Sequence, residues 1–230
     1  MKKVLLINTN IERAPYPVPP LGLCLLAAAL GDKYVVKIYD GVFDEGWGLV
    51  DLVKQFKPDF IGFSIRNIDD VVNDREIFYM DGILEKFIRP VKAATNVPVI
   101  LGGSGFSIFP IELMELTGAD YGIVGEGEDI LPILLDYIQN QEDVSCLPNL
   151  VTKGSKVIQP GEPYKFSKDI SSQFSEIDHR IDFGPYRAKG AYSIQTKRGC
   201  AHRCIYCTYP VIEGRKFRTR KPSDVVDEIE

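Results

Sequence analysis

Three cysteines stand close together near the end of the chain, in the run Arg198-Gly199-Cys200-Ala201-His202-Arg203-Cys204-Ile205-Tyr206-Cys207. With three residues and then two between Cys200, Cys204 and Cys207, three thiolates can share one metal cluster. A cubic iron-sulfur cluster held by only three protein ligands keeps one iron open to a substrate or cofactor. An open iron is a reaction site. Two other readings of these residues stay open. Zinc takes four ligands, and His202 could complete a set with the cysteines, although it lies inside the first ligand loop, where closing a tetrahedron is cramped. Structural or redox cysteines are the other reading, but five cysteines, an odd number with Cys24 in an apolar helical run, do not make an extracellular disulfide framework.

The Cys-x-x-x-Cys-x-x-Cys loop follows Thr196-Lys197-Arg198-Gly199 and has an aromatic residue, Tyr206, just before its third cysteine. In this it resembles the signature of radical S-adenosylmethionine (SAM) enzymes. The resemblance implies that Cys200, Cys204 and Cys207 hold a [4Fe-4S] cluster, that Tyr206 contacts S-adenosylmethionine, and that the cofactor's amine and carboxylate chelate the open iron. It also implies that one electron, from a donor such as flavodoxin or ferredoxin, releases a 5′-deoxyadenosyl radical that takes hydrogen from an unactivated carbon.

The elements that must position this loop come before it. Hydrophobic residues at 45% and charged residues at 26% describe a globular chain, and a formal net charge of -5 argues against a broad nucleic-acid surface. Val4-Leu5-Leu6-Ile7 is too short for a signal-peptide core, and no apolar run approaches the ~18 residues of a membrane span. A cytoplasmic setting, where thiols stay reduced, is expected.

Short apolar runs at Val4–Ile7, Val35–Tyr39, Phe60–Ser64, Val97–Leu101 and Tyr121–Val124 predict buried strands. Helical patterns at Leu21–Leu30, Trp47–Phe56, Arg75–Ala94, Ile111–Leu116 and Asp129–Asn140 alternate with them. Such alternation predicts an α/β fold, a five-stranded parallel sheet of flavodoxin-like, Rossmann-type order 2-1-3-4-5 with ligands at the carboxyl ends of its strands.

The segments after those strands are unusual connectors. A long proline-rich stretch runs from Asn8 to Gly22, Ser64-Ile65-Arg66-Asn67-Ile68-Asp69-Asp70 follows the third strand, Gly102-Gly103-Ser104-Gly105-Phe106 the fourth, and Gly125-Glu126-Gly127-Glu128 the fifth. Glycine lets backbone approach a large ligand closely, but a tight strand-to-helix turn with no ligand uses the same residues, and Asn67, Asp69 and Asp70 equally suit a helix start. With Pro19-Pro20-Leu21-Gly22, these segments resemble the cobalamin-binding domain that precedes the radical domain in one large subgroup of radical SAM enzymes. Ser64 and Gly102-Gly103 match positions that flank the buried nucleotide tail there. The resemblance implies contacts to cobalamin from Asn8, Asn10, Ser64, Arg66, Asn67, Gly102, Gly103, Ser104, Gly105, Phe106, Gly125, Glu126 and Gly127. The loops at Gly103–Phe106 and Gly125–Gly127 would embrace the tail, while Asn8–Tyr16 and Arg66–Asn67 face the corrin. The Asp-x-His-x-x-Gly motif that supplies a histidine to cobalt is missing, so the resemblance implies a base-off, histidine-off cofactor suited to methyl transfer.

Residues 1–143 are thus expected to form the cobalamin-binding-like domain, 144–190 a hairpin (Leu150–Ile158) and linker with a structural Cys146, and 191–230 the truncated start of a radical SAM barrel. Its first strand is expected at Tyr192–Thr196 and a helix at Pro222–Glu230. About 40 residues cannot supply a barrel, so the chain is expected to be the front of a longer enzyme and inactive alone. Basic residues crowd the end of the chain; they suit a solvated surface or partners for acidic groups, or else Arg215, Arg218 and Arg220 face an anionic substrate. The expected function is that of a cobalamin-dependent radical SAM methyltransferase acting on an unactivated carbon of a small molecule or peptide. A non-catalytic cofactor-binding module with a structural metal site, or a radical SAM enzyme of another reaction type without cobalamin, are the alternatives. Neither a membrane nor nucleic acid is expected as a partner.

Overall fold

A computed structural model describes residues 1–70, 77–158, 170, 180–190 and 193–230. Five parallel strands, β1 (Lys2–Asn8), β2 (Tyr34–Asp40), β3 (Phe60–Ser64), β4 (Val99–Gly102) and β5 (Tyr121–Ile123), lie in the expected order β2-β1-β3-β4-β5. Val4 to Ile7 are all buried, the near-continuous apolar run of a strand covered on both faces. Alternation along β1 sends Val4 and Leu6 to one core layer and Leu5 and Ile7 to the other. The register sets Asn8 beside both Asp40 and Ser64, and Ser64 beside Gly102, so the carboxyl ends of four strands form one row.

Helices α1 (Leu21–Leu30) and α8 (Ile130–Asn140) cover the Val4 and Leu6 face. The opposite face is covered by α3 (Leu49–Phe56), α4 (Tyr79–Ile83) and α5 (Arg89–Ala94), the last two joined by a π turn at Leu84–Ile88, and by α6 (Ser104–Ile108) and α7 (Pro110–Thr117). The helix expected from Trp47 starts two residues later, at Leu49, and ends at Phe56 as expected. Asp40 accepts a hydrogen bond from the Val42 amide and caps a single turn, α2 (Gly41–Asp44), after which Trp47 sits 90% exposed in a turn before α3 begins. Residues 75 and 76 of the long helix expected at Arg75–Ala94 lie outside the described residues.

The expected hairpin at Leu150–Ile158 is also corrected. Leu150–Thr152 is β6, a sixth strand antiparallel to β5, with Leu150 and Val151 fully buried, so the sheet continues past residue 143. The reason is the short β5, whose outer edge would otherwise leave its backbone groups unpaired. Cys146 is exposed, whereas Phe183 and Ile170 pack on Cys24 and Leu25 of α1. Tyr186, on α9 (Gly184–Ala188), is buried and donates its hydroxyl to Asp40.

The end of the chain forms a two-stranded antiparallel ribbon of β7 (Lys197–Arg198) and β8 (Arg218–Thr219), with α10 (Tyr209–Ile212) between them and α11 (Pro222–Ile229) after. Of the strand expected at Tyr192–Thr196, Tyr192 lies outside the described residues and Ser193 to Thr196 are irregular. Pairing starts at Lys197, three residues before the first cysteine, next to the point where the Arg220 amide donates to the Thr196 carbonyl (3.0 Å). Among the described residues no helix is long and apolar enough to cross a membrane.

Candidate cofactor cleft and cysteine loop

The aligned strand ends open onto a cavity of about 280 Å³ between the sheet and α1. Leu6, Leu26, Ile100, Ile123 and Leu131 supply apolar walls, and Gly62 and Gly102 keep side chains out of the floor. The paired glycines meet two different needs. At Gly102 an added Cβ would come no closer than 3.8 Å to any neighbour, so glycine there preserves space in the cavity. At Gly103, φ is +101° and an added Cβ would lie 2.5 Å from the Ile65 carbonyl oxygen, so glycine there permits the fold. Ser64, Ser104, Gly125, Glu126 and Gly127 also line this cavity. Ser107, which the sequence reading passed over, ties the two glycine loops together. Its hydroxyl donates to the Gly103 carbonyl (2.8 Å) and accepts from the Gly125 amide (2.9 Å). A serine in the first turn after a glycine corner was the available signal.

A second cavity, of about 480 Å³, brings Asn10, Arg66 and Asn67 together with Glu12 and Tyr16. Asn67 donates to Asn10 (3.5 Å), and Asn10 accepts from the Glu12 amide (3.3 Å). The Tyr79 hydroxyl donates to Glu12 (2.9 Å). The Ala14 amide, then that hydroxyl, hold the Glu12 carboxyl below its ordinary value. Arg66 is exposed at this rim, without a carboxylate partner among the described residues; crowding around its guanidinium lowers its basicity.

Three residues expected at the cofactor line neither cavity. Asn8 is buried and donates to Asp40 (2.9 Å), the same carboxylate that takes the Tyr186 hydroxyl. Phe106 is fully buried with its ring over Gly122, where an added Cβ would meet it at 2.2 Å. Gly105 lets α6 pack on the β3 loop, its Cβ position lying 2.9 Å from the Arg66 carbonyl.

The cysteine loop springs from the ribbon, and the ribbon is fastened to the Gly125–Glu128 corner by buried charges. Arg198 donates to Glu128 (2.7 Å) and to the side chain of Gln195 (3.0 Å), and its Nη1 lies 3.4 Å from Glu126. Arg218 grips Glu126 through both terminal nitrogens and donates to the Glu213 carbonyl (3.0 Å). Burial works against the Arg198 charge, but Glu128 and Glu126 outweigh it and raise its pKa above that of a free guanidinium. Glu213 accepts from the Gly199 amide (3.1 Å), beside the first cysteine. Of the two readings of the terminal basic residues, that of partners for acidic groups fits Arg218 and Arg220: Arg218 is paired with Glu126, and Arg220 is buried against Glu228 of α11. Arg215 is exposed.

Beyond its base the loop is open. Cys204, His202 and Tyr206 are exposed, Cys200 and Cys207 half-buried. Among the described residues no three histidine, cysteine, aspartate or glutamate side chains come close enough to hold a metal ion. The three thiols suit an iron-sulfur cluster in donor type and spacing, although their sulfurs are not drawn together. The cleft suits a large cofactor with an apolar base: a deep glycine-floored slot with a polar rim beside it. No histidine lines either cavity among the described residues, and His179 lies outside them.

A doubly wound sheet with a deep slot at the carboxyl ends of its strands defines a cofactor-binding α/β domain of the kind used for large nucleotide-bearing ligands. Residues 7–135 match the B12 binding domain, and the chain belongs to that family. Tryptophan 2-C-methyltransferase of Streptomyces laurentii is 27% identical over 99% of the chain and 46% of its own length. Cytidylyl-2-hydroxyethylphosphonate methyltransferase of Streptomyces wedmorensis is 25% identical over 99% of the chain and 52% of its own length. The solved structure of the radical S-adenosylmethionine methyltransferase TsrM from Kitasatospora setae, with cobalamin and a [4Fe-4S] cluster bound, matches at 29% identity and a TM-score of 0.83. That match covers 99% of this chain and 46% of TsrM. The chain thus spans about half the length of the relatives it matches.

Proposed function

We propose that this chain binds cobalamin and carries the cluster loop of a radical S-adenosylmethionine methyltransferase. The observation that carries the reading is the joining of the two sites: the Gly125–Glu128 corner that walls the deep cavity is ion-paired to the ribbon from which Cys200, Cys204 and Cys207 emerge. In this reading the nucleotide tail enters the slot beside Ser64, Gly102 and Gly103, and the corrin lies over Asn10, Arg66 and Asn67. Cobalamin would supply a transferable methyl group, and the three thiolates would hold a [4Fe-4S] cluster. Tyr206 would contact S-adenosylmethionine, and an external flavodoxin or ferredoxin would deliver the electron. The apolar walls of the slot would cover the tail, and the ion pairs hold the base of the loop at the sheet edge, beside the corner that lines the slot. Methylation of an unactivated carbon in a small molecule or peptide is the proposed reaction of the whole enzyme.

Two anaerobic measurements test this. Titrated cobalamin is expected to co-elute with the chain with a changed absorption spectrum. Iron and sulfide reconstitution is expected to give a cluster whose EPR signal shifts with S-adenosylmethionine. Stoichiometric zinc without iron would reject the cluster, and the absence of cobalamin binding would reject the cleft.

A further inference from the structure

Arg198 belongs to the ribbon, outside the B12-binding region, yet its side chain is 5% exposed and lines the deep cavity. Its Nε and Nη2 are satisfied by Gln195 and Glu128. Its Nη1 is buried and makes no hydrogen bond, the 3.4 Å approach to Glu126 being an ion pair only. A buried N–H without an acceptor is rare and calls for a ligand or water. The far walls of the cavity are apolar, while beside this donor stand Glu126, Glu128 and Gln195, with no acceptor placed to take its hydrogen bond.

Resting on the cobalamin reading above, we propose that Arg198 Nη1 donates a hydrogen bond to an acceptor on the cofactor's nucleotide tail, making this arginine a tail-recognition residue supplied by the cysteine-bearing ribbon. The tail offers two acceptors, the base nitrogen that is free when the base is off cobalt, and the ribosyl phosphate. Either would have its desolvation offset by a charged donor. Arg198 stands two residues before Cys200, so a full-length tail also steadies the ribbon at the root of the cysteine loop. A corrinoid without a tail leaves Nη1 with only its ion pair to Glu126 and no hydrogen bond.

The test is equilibrium titration of the chain and of Arg198→Lys with cobalamin, with cobinamide, which lacks the tail, and with a cobamide carrying a phenolic base. Lysine keeps a cation for Glu128 and loses the forked donor. Arg198→Lys is expected to weaken cobalamin about tenfold or more and to leave cobinamide within about twofold. A phenolic cobamide that weakens like cobalamin assigns the acceptor to the phosphate, and one that behaves like cobinamide assigns it to the base nitrogen. Equal weakening of cobalamin and cobinamide, or no weakening of either, overturns the proposal while leaving the cobalamin reading intact. A wild-type chain that binds no corrinoid overturns that reading instead. Should the variant not fold, NMR of the wild-type chain with nitrogen-labelled arginine carries the test: one buried guanidinium resonance is expected to move with cobalamin and stay fixed with cobinamide, and its failure to move with cobalamin overturns the proposal.

Discussion

Replacing either of the adjacent glycines Gly102 and Gly103 by alanine adds the same methyl group to the same turn, and the structure assigns the two changes different costs. At Gly103 the backbone has φ +101° and ψ 170°, a region open essentially to glycine, where another residue costs about 1–3 kcal/mol. The new Cβ would also press to 2.5 Å from the Ile65 oxygen and 2.9 Å from its nitrogen, both backbone atoms that cannot rotate away. Overpacking of that kind costs about 1–3 kcal/mol more. A total of about 2–6 kcal/mol corresponds to a fall of roughly 5–20 °C in Tm for a chain of this size. At Gly102 the nearest atom would be an ordinary 3.8 Å away, and the expected loss is below about 1 kcal/mol. Thermal unfolding followed by circular dichroism reads both. Gly102→Ala is expected to unfold near the wild-type temperature and to bind cobalamin more weakly, because its methyl takes up cavity space. Equal Tm values for the two variants would refute the division of labour between the glycines.

Glu126→Ala removes the carboxylate shared by Arg198 and Arg218. Stranding buried cations costs about 3–5 kcal/mol, and the loss is expected as faster hydrogen exchange at the Gly199 and Cys200 amides. Unchanged exchange there would show that the ribbon is held by something else. The Glu12 carboxyl is held below its ordinary 4.5 by the Ala14 amide and the Tyr79 hydroxyl. Its contribution is therefore present above that value and lost as pH falls through the lower folded-state value. Amide exchange in the Asn10–Ala14 loop, corrected for intrinsic rates, is expected to quicken over that acidic window, and Glu12→Gln is expected to abolish the dependence.

The strands were legible because each central one is buried on both faces and so reads as an unbroken apolar run; Phe60–Ser64 and the helix Leu21–Leu30 begin and end where the pattern does. Strand β6 was not legible, since three residues beside Lys153-Gly154 look the same whether they turn back on themselves or pair with a distant edge. At the cavity, Ser64, Gly102 and Gly103 were picked out only through the resemblance to cobalamin-binding domains, because a tight strand-to-helix turn uses the same residue types. Asn8 and Phe106 misled for a tertiary reason. The register turns Asn8 toward Asp40, and the absence of a side chain at Gly122 makes the hole that Phe106 fills. The ion pairs were out of reach altogether: Arg198 meets a carboxylate 70 residues away and Arg218 one 92 residues away, and no local pattern encodes such a match.

A network of buried charges at this junction is a poor choice if stability alone matters, because well-packed apolar residues of similar volume are often equally or more stabilising. What charges add is direction. Arg218 holds Glu126 through two nitrogens, a geometry that fixes angle as well as distance, while an apolar contact would let the ribbon slide. Glu126 and Glu128 also line the deep cavity, so the walls of the slot and the seat of the ribbon are made of the same atoms. Any occupant of the slot that interacts more favourably with one ribbon position than another shifts the ribbon by that difference in free energy. By the same linkage, a ribbon fixed in that position binds the occupant more tightly by an equal amount. Filling the slot and ordering the base of the cysteine loop are then two sides of one equilibrium, set by four charged side chains at the end of β5.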